Sequence, residues 1–237
     1  MKLFQPILAG ANFTDRLLAS VGAIFGIALT ILICSAFPYG IKDMPIIVAP
    51  LGASAVLAFA VPSSPLAQPW SIVGGNVIST LVGVACFNLI PDVSIAAGVA
   101  VGMAILLMSL LRCLHPPGGA TALTAVIGSH QIHAASYGLA LAPVGINSIA
   151  LVCLAMIFHR LTGRSYPHKA AELPKEMPAG LHLADIDAAI ADMHESFDIN
   201  REDLDALLVR AEHHAVQRLE RKGAPFFRLI SDTGNGR

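Results

Sequence analysis

Charge is scarce in this 237-residue chain, and the scarcity is localised. Between residues 17 and 158 the only formal charges are Lys42, Asp43, Asp92 and Arg112. A water-soluble domain of that length needs far more polar surface, so this stretch does not read as one. A net charge of −1 excludes the basic field that nucleic-acid binding requires. The four cysteines, Cys34, Cys86, Cys113 and Cys153, stand singly in apolar runs without C-x-x-C spacing. That argues against a zinc or redox pair and leaves them as small hydrophobic filler. Catalytic signatures are missing too: there is no G-x-S-x-G elbow, H-E-x-x-H pair or Walker loop. Asp43 and Asp92 both fall at loop ends, so the apolar body lacks two carboxylates to share acid–base work. Neither an enzyme nor a bound cofactor is expected. His130 and His133, even joined by His115, come without a nearby carboxylate or cysteine, so no metal site is expected.

Hydrophobic length is what the chain has instead. Hydrophobic residues make up 55% of it, gathered into the long runs 17–37, 71–90, 94–111 and 136–158. Each is close to the roughly 20 apolar residues that cross a bilayer. The first run exceeds the apolar core of about 7–15 residues in a signal peptide, so it reads as a retained membrane helix. Asn12 or Thr14 is placed to cap it; Pro38, Tyr39 and Gly40 end it, and Lys42 and Asp43 mark a water-facing loop. Trp70 follows a charge-free proline-rich loop as an interface anchor. Gly74, Gly75 and Gly83 permit close helix packing in the third run. Two shorter apolar pieces, 51–61 and 120–128, are too short to span alone.

The organising stretch is Leu114, His115, Pro116, Pro117, Gly118, Gly119, Ala120 and Thr121. Pro116 and Pro117 lack an N–H and clash with a preceding turn, so the helix arriving through residues 94–111 must stop. Pro117 suits the start of a new helix. A break of this kind at membrane depth persists only where protein or a water-filled cavity covers it.

The same pattern occurs earlier. Pro50, Leu51, Gly52, Ala53, Ser54 and Ala55 align with Pro117, Gly118, Gly119, Ala120, Thr121 and Ala122 as P-x-G-A-[S/T]-A. Each copy is followed by a long run that carries an asparagine soon after a glycine, Asn76 or Asn147. Each half then reads as long helix, short Pro-started helix, long helix, and paired interrupted segments of this kind point to a transporter site. Basic residues flank both ends of the apolar region, Lys2 and Arg16 before it and Arg160, Arg164 and Lys169 after it. That places both termini in the cytoplasm and requires an even number of crossings. Six crossings put Arg112 inside; four, with the short pieces re-entrant, put it outside. Six is the weakly preferred count.

The expected fold is therefore an all-α polytopic transmembrane bundle of four to six membrane segments, residues 1–162. Residues 163–237 form a linker and a cytoplasmic amphipathic helical hairpin. This second part carries ten basic and thirteen acidic residues from position 164 onward. Ile186, Ile190, Met193 and Phe197 fall at helical spacing. Asn200 is a good N-cap for a second helix with the stripe Leu204, Leu207, Leu208, Ala211 and Ala215, stopping near Gly223. So small a pair needs another surface, a second copy of the chain included.

The motif from His115 to Ala122, with residues 49–55 and Gly74, Gly75 and Asn76, resembles the signature blocks of the HPP family of integral membrane proteins. The resemblance covers roughly residues 12–160. It implies four transmembrane helices, and plastid and cyanobacterial relatives link the family to nitrite transport. The tail is similar to the segment that precedes paired CBS domains in some bacterial members; regulation through such domains is not expected here.

From the residues themselves, two short helices starting at Pro50 and Pro117 would present unpaired N–H groups and positive dipole ends, an anion site needing little formal charge. Gly52, Gly118 and Gly119 would open the backbone, with Ser54, Thr121, Asn76 and Asn147 as donors. Arg112 would attract the anion, and His115 would gate or protonate it. Each has a plainer reading: Arg112 snorkelling, His115 capping a helix C-terminus, the hydroxyls bonding their own helix, the asparagines joining helices. The expectation is a transporter or channel for a small inorganic anion in a bacterial inner membrane, its partners the bilayer and the anion. The alternative is a non-transporting sensor or scaffold acting through the tail.

Overall fold

A computed structural model of the chain describes residues 13–36, 47–169, 183–193 and 198–221. The expectations for Asn12, the 38–43 turn and loop, Phe197 and Gly223 fall outside the described residues. The chain divides into two compact units, Met1–Lys169 and Ala170–Arg237.

The described residues of the first unit are helical: α1 (Phe13–Ser35), α2 (Pro50–Ala60), α3 (Pro69–Leu89), α4 (Val93–Leu110), α5 (Pro116–Ile127), α6 (His130–Ala135) and α7 (Ile146–Leu161). Prolines start α2, α3 and α5, where their missing N–H costs nothing. Asp92 caps α4, its carboxylate accepting from the Ile95 N–H at 2.9 Å. The last long run is interrupted where Ala142 is extended ahead of Pro143, as the ring demands of its neighbour.

Four stretches are long and apolar enough to cross a membrane: Phe13–Ser35, Pro69–Leu89, Val93–Leu110 and His130–Leu161. With 11 and 12 residues, α2 and α5 rise only about 16 and 18 Å. Six full crossings are therefore not met by length. Direction, however, alternates through all six segments. Gly22 and Gly26 of α1 face Phe59 near the end of α2, and Arg16 reaches the Ala60 carbonyl, so α2 runs back along α1. Asn76 bonds Ser54 across the α2–α3 turn. Trp70 at the start of α3 bonds the Leu111 carbonyl beyond α4 at 3.1 Å. α5 runs parallel to α3, with Gly75 against His115 and Gly83 against Ala122 and Ala125. The short helices thus carry the chain onward instead of looping back.

Packing follows the logic of lipid, where small residues let backbones approach. Ala96, Ala100 and Ala104 form a buried stripe on α4. At Gly83 an added Cβ would sit 2.4 Å from the Ala122 carbonyl oxygen. Large apolar side chains such as Ile24, Leu32, Ile105 and Leu110 are exposed, as a bilayer-facing surface requires.

In the second unit, α8 (Leu183–Met193) and α9 (Arg201–Arg221) are joined by Arg201, which pairs with Asp187 at 2.9 Å and with Asp205 at 3.3 Å. The buried face of α9 carries Asp205, Ala206 and Val209, while Leu207 is exposed. The expected stripe is thus rotated toward Asp205, Ala206 and Val209.

Gly83→Ala should destabilise the first unit by about 1–3 kcal/mol through overpacking of α3 on α5. Gly98→Ala, with open space around its Cβ position, should change stability by no more than about 1 kcal/mol, in the stabilising direction. Thermal unfolding of the two variants in detergent measures the difference.

Candidate functional site

The break at residues 111–116 is built by local rules. Arg112 adopts φ +56°, ending α4 in the left-handed conformation. The Cys113 N–H returns to the Met108 carbonyl at 2.8 Å and the Arg112 N–H to Ser109 at 3.2 Å. That turn delivers His115 to the start of α5, against Gly75 of α3, where no side chain fits: a Cβ there would meet His115 Cβ at 2.5 Å. Gly118 is equally constrained, its Cβ position 2.6 Å from Ser79 Oγ.

His115 is fully buried and anchors a polar network. Its Nδ1–H donates to the Leu66 carbonyl at 2.9 Å, because a carbonyl only accepts. In the neutral ring Nε2 is then the acceptor, and the Ser54 hydroxyl donates to it at 2.8 Å. Ser54 Oγ in turn accepts from Asn76 Nδ2 at 3.3 Å. The same amide nitrogen donates to Ser148 Oγ at 3.2 Å, and Asn76 Oδ1 accepts from Thr121 at 2.9 Å. Five buried side chains from α2, α3, α5, α7 and the break are thereby linked, each polar group with a partner.

The other sequence-derived candidates distribute differently. Asn147 is buried but stands apart, accepting from the Val48 N–H at 3.2 Å and donating to Cys34 Sγ at 3.1 Å. Gly52 is exposed, Gly119 half-buried against Val101, and the Arg112 side chain exposed. Ser54 and Thr121 also lie within reach of their own helix carbonyls, Pro50 at 3.5 Å and Pro117 at 3.1 Å. The expectation of unpaired N–H groups at the two helix starts is corrected. Leu51 and Gly52 N–H groups bond Val48 and Ala49 at 3.0 Å, and Gly118 bonds His115 at 2.8 Å. The prolines remove donors, and the preceding turn takes up those that remain. Nor does His115 cap a helix C-terminus; its partner is the 3-10 turn Pro65–Ala67.

Two participants escaped the sequence reading. Ser148 looked like one more small residue in an apolar run, although its place beside Asn147 was a signal. His159 is buried among Phe59, Phe158 and Tyr166, its Nε2 donating to the Ala58 carbonyl at 2.8 Å. A histidine inside an apolar run was the signal there. His133 stacks on Phe87 and bonds the Val126 carbonyl at 3.1 Å. No cluster of three metal-ligating side chains occurs among the described residues.

Two variants separate structure from role. Asn76→Ala removes bonds to three hydroxyls at once, Ser54, Thr121 and Ser148, so it should cost about 2 kcal/mol, above the roughly 0.6 kcal/mol average for one interhelical bond in a membrane. Arg112→Gly should stabilise by about 1 kcal/mol by relieving the left-handed side chain, whereas Arg112→Gln should not; thermal unfolding in detergent reads both.

The family model described as "HPP, transmembrane region" matches residues 9–167. Two transmembrane proteins of Dictyostelium discoideum are each 36% identical to the chain, over 130 and 131 residues. The matches cover 53% of this chain but only 45% and 42% of those proteins, so the chain spans less than half their length. No solved structure matches it.

Proposed function

The chain belongs to the HPP family of integral membrane proteins, and on that footing we propose that its membrane unit is a transporter or channel for a small inorganic anion. The observation that supports this is the Ser54–His115–Asn76–Thr121–Ser148 network, placed where two short helices begin side by side and run in opposite directions. It is the kind of uncharged donor set that recognises an oxyanion by hydrogen bonds, and interrupted helices at the interface of two halves are where transporters hold substrate. Nitrite is the leading substrate, on the family resemblance alone. Arg112, exposed at the end of α4, serves in this reading as an entrance charge and not as a ligand. The role is transport and not catalysis, with both termini in the cytoplasm of a bacterial inner membrane.

Loading requires the hydroxyls and the Asn76 amide to exchange partners with the anion. His115 offers a trigger. With a second proton, Nε2 becomes a donor, and Ser54 must turn its own hydrogen toward the Pro50 carbonyl, 3.5 Å away. Ser54 Oγ would then accept from both the ring and Asn76, and the network would be rearranged by one proton.

Proteoliposomes loaded with the protein should take up one of nitrite, nitrate, chloride or formate saturably. Thr121→Val and Ser54→Ala should each reduce uptake by about tenfold, the worth of one hydrogen bond. His115→Gln should flatten the dependence on pH, and Arg112→Gln should slow uptake most at low salt. Uptake no faster than into empty vesicles, for every anion, would sink the proposal and favour a sensor working through α8 and α9.

A further inference from the structure

Two neighbouring cavities flank α7, and the polar network uses neither. One, about 250 Å³, is an apolar groove between α1 and α7, lined by Gly22, Gly26, Leu154 and Leu161 beside the Phe59 and Phe158 rings. The other, about 460 Å³, lies between the end of α7 and the segment after it and contains Arg160, Arg164, Ser165 and Lys169. Ile157 lines both, so the groove and the basic cavity are neighbours along α7. Apolar length beneath positive charge is the outline of a lipid, an acyl chain below and a headgroup above.

The basic end is held in place by structure. Gly163 takes φ +71°, and the Arg164 N–H folds back to the His159 carbonyl at 2.8 Å, returning the chain over the end of α7. Tyr166 is buried and donates its hydroxyl to the Ala67 carbonyl at 2.8 Å; burial also pushes its ionisation up, so the donor persists at any physiological pH. The His168 N–H bonds Gln68 Oε1 at 2.9 Å, fixing the segment that carries Lys169. Arg164 is paired with Asp15 of α1. The uncompensated charge therefore comes from Arg160 and Lys169, neither of which forms an ion pair among the described residues. Two cations suit a phosphate diester, and basic pockets between membrane helices bind such headgroups.

We propose that the α1–α7 seam is a binding site for an anionic glycerophospholipid, its phosphate at Arg160 and Lys169 and one acyl chain in the groove floored by Gly22 and Gly26.

Native mass spectrometry of the full chain, delipidated in detergent and titrated with phosphatidylglycerol or phosphatidylcholine of the same chain length, tests this. Phosphatidylglycerol should be retained over phosphatidylcholine by on the order of tenfold. Arg160→Gln with Lys169→Gln should bring that ratio close to one, while Arg112→Gln, an exposed cation elsewhere, should leave it unchanged. Because the preference is first measured on the unaltered protein, a variant that folds poorly does not decide the matter. Equal retention of the two lipids by the unaltered protein would overturn the proposal. So would displacement of phosphatidylglycerol by millimolar inorganic phosphate, which would assign the basic cavity to a free anion. An Arg112→Gln loss as large as that of the double variant would reduce the effect to general surface charge and equally overturn it.

Discussion

Polar groups inside a bilayer have no water to turn to, and that single constraint shapes the membrane unit. Wherever proline ends a helix, backbone carbonyls and N–H groups are released, and each must find protein. Here the releases are paired with side chains from across the bundle. His115 takes the Leu66 carbonyl, His159 the Ala58 carbonyl and Tyr166 the Ala67 carbonyl. All three acceptors belong to α2 or the turn after it. Glycine at positions 75, 83 and 118 makes the ties reachable by letting α3 and α5 approach at backbone distance.

The same constraint explains why the candidate site is uncharged. A buried arginine would need acceptors for about five N–H groups, and the groups around Asn76 already bond one another. Arg112 accordingly sits outside it, at a turn whose left-handed geometry is set by the Met108 and Ser109 carbonyls. What is left inside is a set of hydroxyls, one amide and one imidazole whose donor directions are fixed by the Leu66 carbonyl at one end. Charge is pushed to the rim, at Arg112 and around the end of α7, where water and headgroups solvate it. The network ties four helices, α2, α3, α5 and α7, through side chains alone.

Much was legible in the residue order because the rules that governed it are local. Hydrophobic run length set the four long helices; Pro50, Pro69 and Pro116 set three helix starts within a residue or two; Asp92 and Asn200 stand directly before α4 and α9. The His115 motif and the P-x-G-A-[S/T]-A repeat singled out Ser54, Asn76 and Thr121, which do meet around one histidine. The interruption at Ala142 and Pro143 was foreshadowed by the proline alone.

What residue order did not determine was pairing at a distance. Nothing in the spacing distinguishes Asn76, which joins three hydroxyls, from Asn147, which holds Val48 and Cys34, because each is an asparagine within two residues of a glycine in an apolar run. Nor could it tell that the N–H groups expected to await an anion are taken by the turns before them, or that Arg112 faces outward. The rotated stripe on α9 was not legible either: Asp205, Ala206 and Val209 are buried and Leu207 is exposed. Periodicity and proline are properties of a few adjacent residues and can be read along the chain. Which donor meets which acceptor depends on helix direction and depth, and those exist only once α2 and α5 lie side by side.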